Sequence, residues 1–127
     1  MNKFLLVALG GAVGSAARYA LGGWALRGFG PGWPYGTFAA NLIGGGFIGL
    51  LTGYLAFKGG GDQERLRLLL QVGVLGGFTT FSAYSLETAL MIERKAYGAA
   101  LGYAVSSAVL AVLAVFAGLF LARKVFA

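Results

Sequence analysis

Apolar residues run along this chain in four long blocks separated by short polar connections. The blocks extend from Phe4 to Leu26, from Tyr35 to Phe57, from Leu66 to Ile92 and from Tyr97 to Ala122. Each meets the ~20-residue length needed to cross a hydrocarbon core about 30 Å thick. The pattern therefore predicts an all-α membrane protein, with four transmembrane helices forming one domain over residues 1–127. Gly30-Pro31-Gly32-Trp33-Pro34 reads as the first turn, with Pro34 suited to a first helical position. Trp24, Trp33 and Tyr35 around it suit an interfacial aromatic belt. Ahead of the third block lies the hydrophilic run from Lys58 to Arg65, with Asp62 as helix N-cap and Glu64 in the first turn. Glu93-Arg94-Lys95 marks the third connection, and Arg123-Lys124 closes the last block. Lys3 followed by Phe4–Leu9 resembles the start of a cleavable signal peptide. The apolar run continues beyond Arg18 through Trp24, so the segment is expected to remain as a span.

The third block is interrupted. Gly76 and Gly77, followed by the hydroxyl-bearing Thr79, Thr80, Ser82, Tyr84 and Ser85, would leave polar and backbone groups unpaired in hydrocarbon. Such a break is tolerated only where it is buried in protein or lines a wet cavity. A site at membrane depth is expected there.

Composition narrows the chemistry. The 58% hydrophobic content and 11% charge do not suit a soluble domain, which keeps roughly a quarter of its residues charged. Cysteine and histidine are both absent, which excludes disulfides, thiolate sites and the usual proton shuttle near neutral pH. The net charge of +6 comes mostly from residues at the ends of apolar blocks, as membrane flanks do, and does not read as a nucleic-acid footprint. Lys3, Lys58, Arg65, Arg67, Arg123 and Lys124 fall on one side; Arg27, Arg94 and Lys95, with Arg18 nearby, fall on the other. That small bias is compatible with insertion in both orientations.

Glycine ridges set the packing. Gly45, Gly49 and Gly53 form one, Gly10 and Gly14 a second, Gly98 and Gly102 a third. Ridges of this kind let helix backbones approach closely, and these offer more close-packing faces than one subunit satisfies, so an oligomer is expected. Asn41 lies about 10 Å into the second helix, where its amide must bond across a helix interface or to a permeating species. Thr37 sits one turn before it on the same face. Phe81 and Tyr84, with the neighbouring hydroxyls, could take a small anion from water through positive ring edges and O–H donors. Backbone carbonyls freed at Gly76 and Thr79 would instead suit a hard cation such as Na⁺. Tyr103 and Ser107 share a face of the fourth helix, with Ser106 beside them, although serines in membrane helices often bond back to their own carbonyls. Arg18 either snorkels to the interface or supplies positive potential to a vestibule. Glu87 is the one acid well inside a block, and a structural hydrogen bond or snorkelling is its preferred role.

Three stretches together resemble the CrcB/Fluc fluoride channels: Gly10 to Tyr19, Gly36 to Gly44, and Gly76 to Ser82. The resemblance spans nearly the whole chain and its four-span layout. It implies an antiparallel homodimer of dual topology in the cell inner or plasma membrane, with two fluoride pathways and a central Na⁺. By position, the carbonyls of Gly76 and Thr79 would hold that Na⁺. Asn41 would be the pore amide, Phe81 the first ring of an aromatic pair, and Tyr103 and Ser107 part of a polar track; Arg18 would shape a vestibule. The chain departs from the family where Tyr84 replaces a phenylalanine, where Ala83 replaces a threonine or serine, and where Ala111 replaces a further hydroxyl. The function implied is passive, selective fluoride efflux that relieves fluoride toxicity, with fluoride and the lipid bilayer as partners and no enzymatic step. Two rivals remain: a small dimeric four-helix multidrug exporter, which would need Glu87 to serve as its proton-coupled carboxylate, and a non-transporting assembly subunit held by its glycine ridges.

Overall fold

The computed structural model describes residues 2–127. The first helix covers Lys3–Phe29, the second Tyr35–Lys58 and the fourth Tyr97–Phe126. Between them, Gln63–Glu93 forms a third span built from two arms. All four are long and apolar enough to cross a membrane. The helices outrun the apolar blocks because polar flanks continue them. Arg27, Lys58 and Arg123 with Lys124 occupy last turns, where positive charge favours the helix dipole. Asn2 caps the first helix by accepting the Phe4 N–H at 2.7 Å. That helix ends at Gly30, whose φ of +83° is a left-handed conformation glycine adopts without a Cβ clash. Pro34 stands one position before the second helix rather than at its first residue. Asp62 does hold the cap position of the third span, but its side chain makes no capping bond.

The third span begins with one α-turn, Gln63–Leu66, widens into a π-helix over Arg67–Leu75, and returns to α geometry for Gly76–Phe78. Thr79 and Thr80 are extended, and the second arm resumes at Phe81–Glu93. The interruption therefore lies past the glycine pair, since Gly76 itself is helical. Gly77 is small for a different reason. A Cβ there would stand 2.6 Å from the Gly11 carbonyl, so its lack of a side chain lets the first helix lie against the first arm.

Two of the three glycine ridges pack within the chain. Gly45, Gly49 and Gly53 meet the fourth helix along Ala111, Val115 and Ala122, and this pairing is the most extensive in the fold. Gly10 and Gly14 take the first arm at Leu69 and Val74. Gly98 and Gly102 face open space. Near one end, Met91, Ala100 and Tyr103 form a buried cluster closed by Trp33, Phe38, Tyr84 and Ala96. Trp33 is its hub, with ring centroids 5.0 Å from Phe38 and 5.1 Å from Tyr103, both edge to face. The hairpin between the first two helices is thereby pinned over the second arm.

Candidate functional site

The break at Thr79–Thr80 is held by a side chain from another helix. Asn41 accepts the Thr80 N–H at 2.8 Å and donates its own Nδ2–H to the Thr80 carbonyl at 3.1 Å. One carboxamide thus replaces both peptide partners that Thr80 lost when the helix stopped. The Thr80 hydroxyl then caps the second arm, accepting the Ala83 N–H at 3.1 Å. On the near side, Thr79 Oγ1 donates back to the Leu75 carbonyl at 2.9 Å. Arg18 closes the first arm: its Nε donates to the Gly77 carbonyl at 3.1 Å, placing positive charge on the negative end of that short helix. The guanidinium is therefore seated at the break itself.

These bonds leave a particular remainder. In an uninterrupted helix the Thr80 and Ala83 N–H groups would close on the carbonyls of Gly76 and Thr79. Here both donors point elsewhere, to Asn41 and to the Thr80 hydroxyl. The Gly76 and Thr79 carbonyls therefore do not receive these two helical N–H groups. Among the described residues no cluster of three or more His, Cys, Asp or Glu could hold a metal ion.

Beside the break lies a cavity of about 360 Å³, whose polar wall comprises Asn41, Thr79, Thr80, Tyr84 and Ser107, with Phe81 adding a ring. Phe81 and Tyr84 stand 5.4 Å apart between centroids. Phe81 is 77% exposed. Tyr84 is anchored, its hydroxyl donating to the Ala104 carbonyl of the fourth helix at 2.8 Å. Ser107 is only 4% exposed, yet its hydroxyl has no partner. A buried hydroxyl left unbonded costs roughly 1–3 kcal/mol, so Ser107 is an uncompensated polar group beside the break. The back-bonding alternative holds for its neighbour, since Ser106 Oγ bonds the Tyr103 carbonyl at 3.4 Å.

Thr37 and Tyr103 converge on Glu87. The Thr37 hydroxyl donates to Oε2 at 3.0 Å and the Tyr103 hydroxyl to Oε1 at 3.1 Å, tying the second helix, the second arm and the fourth helix together. Glu87 thus fills the structural hydrogen-bonding role preferred for it. Tyr103 is wholly buried and its ring forms a partition. On one side it touches Tyr84, 5.5 Å away, which lines the cavity at the break. On the other it meets Trp33, which lines a second cavity of about 300 Å³ together with Thr37 and Glu87.

The sequence-predicted residues therefore fall into two linked groups. Asn41, Phe81, Tyr84, Ser107, Gly76 and Thr79 gather at the break, joined by Arg18, while Thr37 and Tyr103 meet at Glu87. Thr80 was missed as a functional position. Its signal was local: a threonine three residues before Ala83, opening a helix after a stop.

Comparison with known proteins bears on this geometry. The family described as "CrcB-like protein, Camphor Resistance (CrcB)" matches residues 5–119. The chain is 67% identical over 127 residues, the full length of both, to the fluoride-specific ion channel FluC of Phenylobacterium zucineum. It is 61% identical over the same length to the fluoride-specific ion channel FluC of Caulobacter vibrioides strain NA1000. The corresponding protein of Hyphomonas neptunium is 50% identical, again over all of both chains.

Proposed function

The chain belongs to the CrcB family, and from that premise we propose that it is a fluoride-specific channel: a multi-pass membrane protein, not an enzyme, giving fluoride passive exit from the cell. The names of its full-length relatives support the ion, and the observation that carries the route is Ser107, a residue lining the cavity at the break whose buried hydroxyl has no protein partner. Fluoride is small and tightly hydrated, so a narrow path must supply substitutes for its waters. Ser107 offers an O–H, Asn41 retains one amide hydrogen beyond its bond to Thr80, and the edges of Phe81 and Tyr84 add positive potential. These donors are neutral, and such a wall solvates an anion without trapping it.

A second copy fits the same surfaces. Phe81 and the unbonded Ser85 are exposed at membrane depth, and Gly98 and Gly102 present an uncovered ridge. Pairing two chains antiparallel about the break would bring four carbonyls, Gly76 and Thr79 from each, around one Na⁺. It would also give each Phe81 a cavity wall to complete. Light scattering in detergent tests the pairing, and a monomeric mass would end it. Replacing Na⁺ with a bulky organic cation should loosen the pair.

The exporter reading is disfavoured by Glu87, because both its oxygens already accept bonds from Thr37 and Tyr103. The deciding experiment is fluoride efflux from liposomes holding the purified protein. Rapid fluoride release with chloride retained is the expected result, and no release above empty vesicles would refute the channel.

A further inference from the structure

A third cavity, of about 400 Å³, lies on the flank of the second helix. Phe47, Leu51 and Tyr54 line it from that helix, Leu70 and Val74 from the first arm, and Phe126 from the end of the fourth helix. Its wall is apolar apart from the Tyr54 hydroxyl. Phe47 is 55% exposed, so the wall opens outward rather than into the core. At 3.6 residues per turn, this face of the second helix is turned about 130° from the face of Asn41, Gly45 and Ile48, which line the cavity at the break. A second chain seated at the break would therefore leave this cavity facing the bilayer.

We propose that the cavity seats one acyl chain of an anionic phospholipid, with Lys58 and Arg123 holding its phosphate. Charge complementarity selects this occupant. Lys58 stands one turn beyond Tyr54 and Arg123 one turn before Phe126, each on the face its ring occupies. The two rings meet edge to face with centroids 5.0 Å apart, so both cations lie within a turn of the point where the second and fourth helices close the cavity. Neither forms an ion pair or a side-chain hydrogen bond among the described residues, whereas Lys124 sits 5.1 Å from the Phe120 ring centroid. Asp62 and Glu64 are the acidic side chains at this end, and Glu64 is already paired with Arg67 at 3.0 Å. Depth agrees with charge. Phe47 lies about 16 Å along the helix from Lys58, close to the ~15 Å of hydrocarbon in one leaflet. A lysine and an arginine with long apolar stems can reach a phosphate at the interface while the chain below fills the groove.

Native mass spectrometry of the purified protein in detergent, titrated with phosphatidylglycerol or with phosphatidylcholine of the same chains, tests the site. One phosphatidylglycerol per chain should remain bound, about tenfold more tightly than phosphatidylcholine. Lys58→Ala with Arg123→Ala should erase that preference, whereas Arg94→Ala with Lys95→Ala, at the opposite end, should keep it. Leu51→Trp, which fills the groove, should weaken both lipids several-fold. Glycerol phosphate, a headgroup without chains, should not displace the lipid even in large excess. Equal binding of the two lipids, a preference that survives loss of Lys58 and Arg123, or unchanged binding in Leu51→Trp would overturn the site. Displacement by glycerol phosphate would reduce it to a bare phosphate site and overturn the seated chain. A dimer that carries neither lipid would show that a second copy covers the cavity, and would overturn the proposal as well.

Discussion

Replacing Asn41 with alanine strands two backbone groups at once. The Thr80 N–H loses its acceptor at 2.8 Å and the Thr80 carbonyl its donor at 3.1 Å. Neither can turn to a neighbouring turn of helix, because Thr80 is extended and its own hydroxyl is committed to Ala83. Each unsatisfied buried group costs roughly 1–3 kcal/mol, so Asn41→Ala should lose about 2–6 kcal/mol of stability. Equilibrium unfolding in mixed micelles measures this, with fluoride efflux recorded on the same preparation. Ser107→Ala is the matched control. Its hydroxyl has no protein partner, so stability should not fall and should rise by up to ~1–3 kcal/mol as the stranded hydroxyl is removed, while efflux drops about tenfold, the worth of one donor. The pair separates a residue that builds the break as well as meeting the ion from one that only meets the ion. A loss below ~0.5 kcal/mol for Asn41→Ala would refute the claim that its carboxamide supports the interruption.

Further outcomes follow from single contacts. Arg18→Ala removes a charged donor from the Gly77 carbonyl and should cost ~1.5–3 kcal/mol in the same unfolding assay, with lysine restoring part of it. Gly10→Ala should destabilise by about 1–3 kcal/mol, since its Cβ would lie 2.9 Å from Gly73 Cα; the adjacent Gly11→Ala meets nothing and should gain ~0.5–1 kcal/mol of helix propensity. Tyr103→Phe and Thr37→Val each take one donor from Glu87 and should each cost ~1.5–3 kcal/mol, whereas summed effects in the double variant would test whether the carboxylate is shared as one unit.

Hydrophobic block length was enough to read the four spans, because crossing a bilayer demands long runs that little else in a sequence mimics. The glycine ridges of the first and second helices were legible for the same reason: spacing alone puts them on one face. The position of the interruption was harder. Gly76 and Gly77 look like the breakers, yet they serve helix contact, and the chain actually leaves helical geometry at Thr79 and Thr80. What holds those residues extended is a carboxamide 39 positions away gripping main chain, and no local pattern announces such a bond. The Glu87 junction was half legible. A lone acid in an apolar block signals partners, but which hydroxyls reach it depends on how the second arm tilts after the break. Nor does residue type separate Ser106 from Ser107; the fold gives one a carbonyl and leaves the other empty-handed.

The grip of Asn41 on Thr80 has a consequence for how such a protein can drift. Because the carboxamide addresses the peptide unit, any residue but proline at position 80 presents it with the same two atoms. Position 80 answers only to its own cap on Ala83, and position 41 answers to a geometry that has no letter in the sequence. Pairwise covariation between the two columns should therefore be nearly silent, although two hydrogen bonds join them across 39 positions. Methods that rebuild contacts from correlated substitutions would overlook this joint.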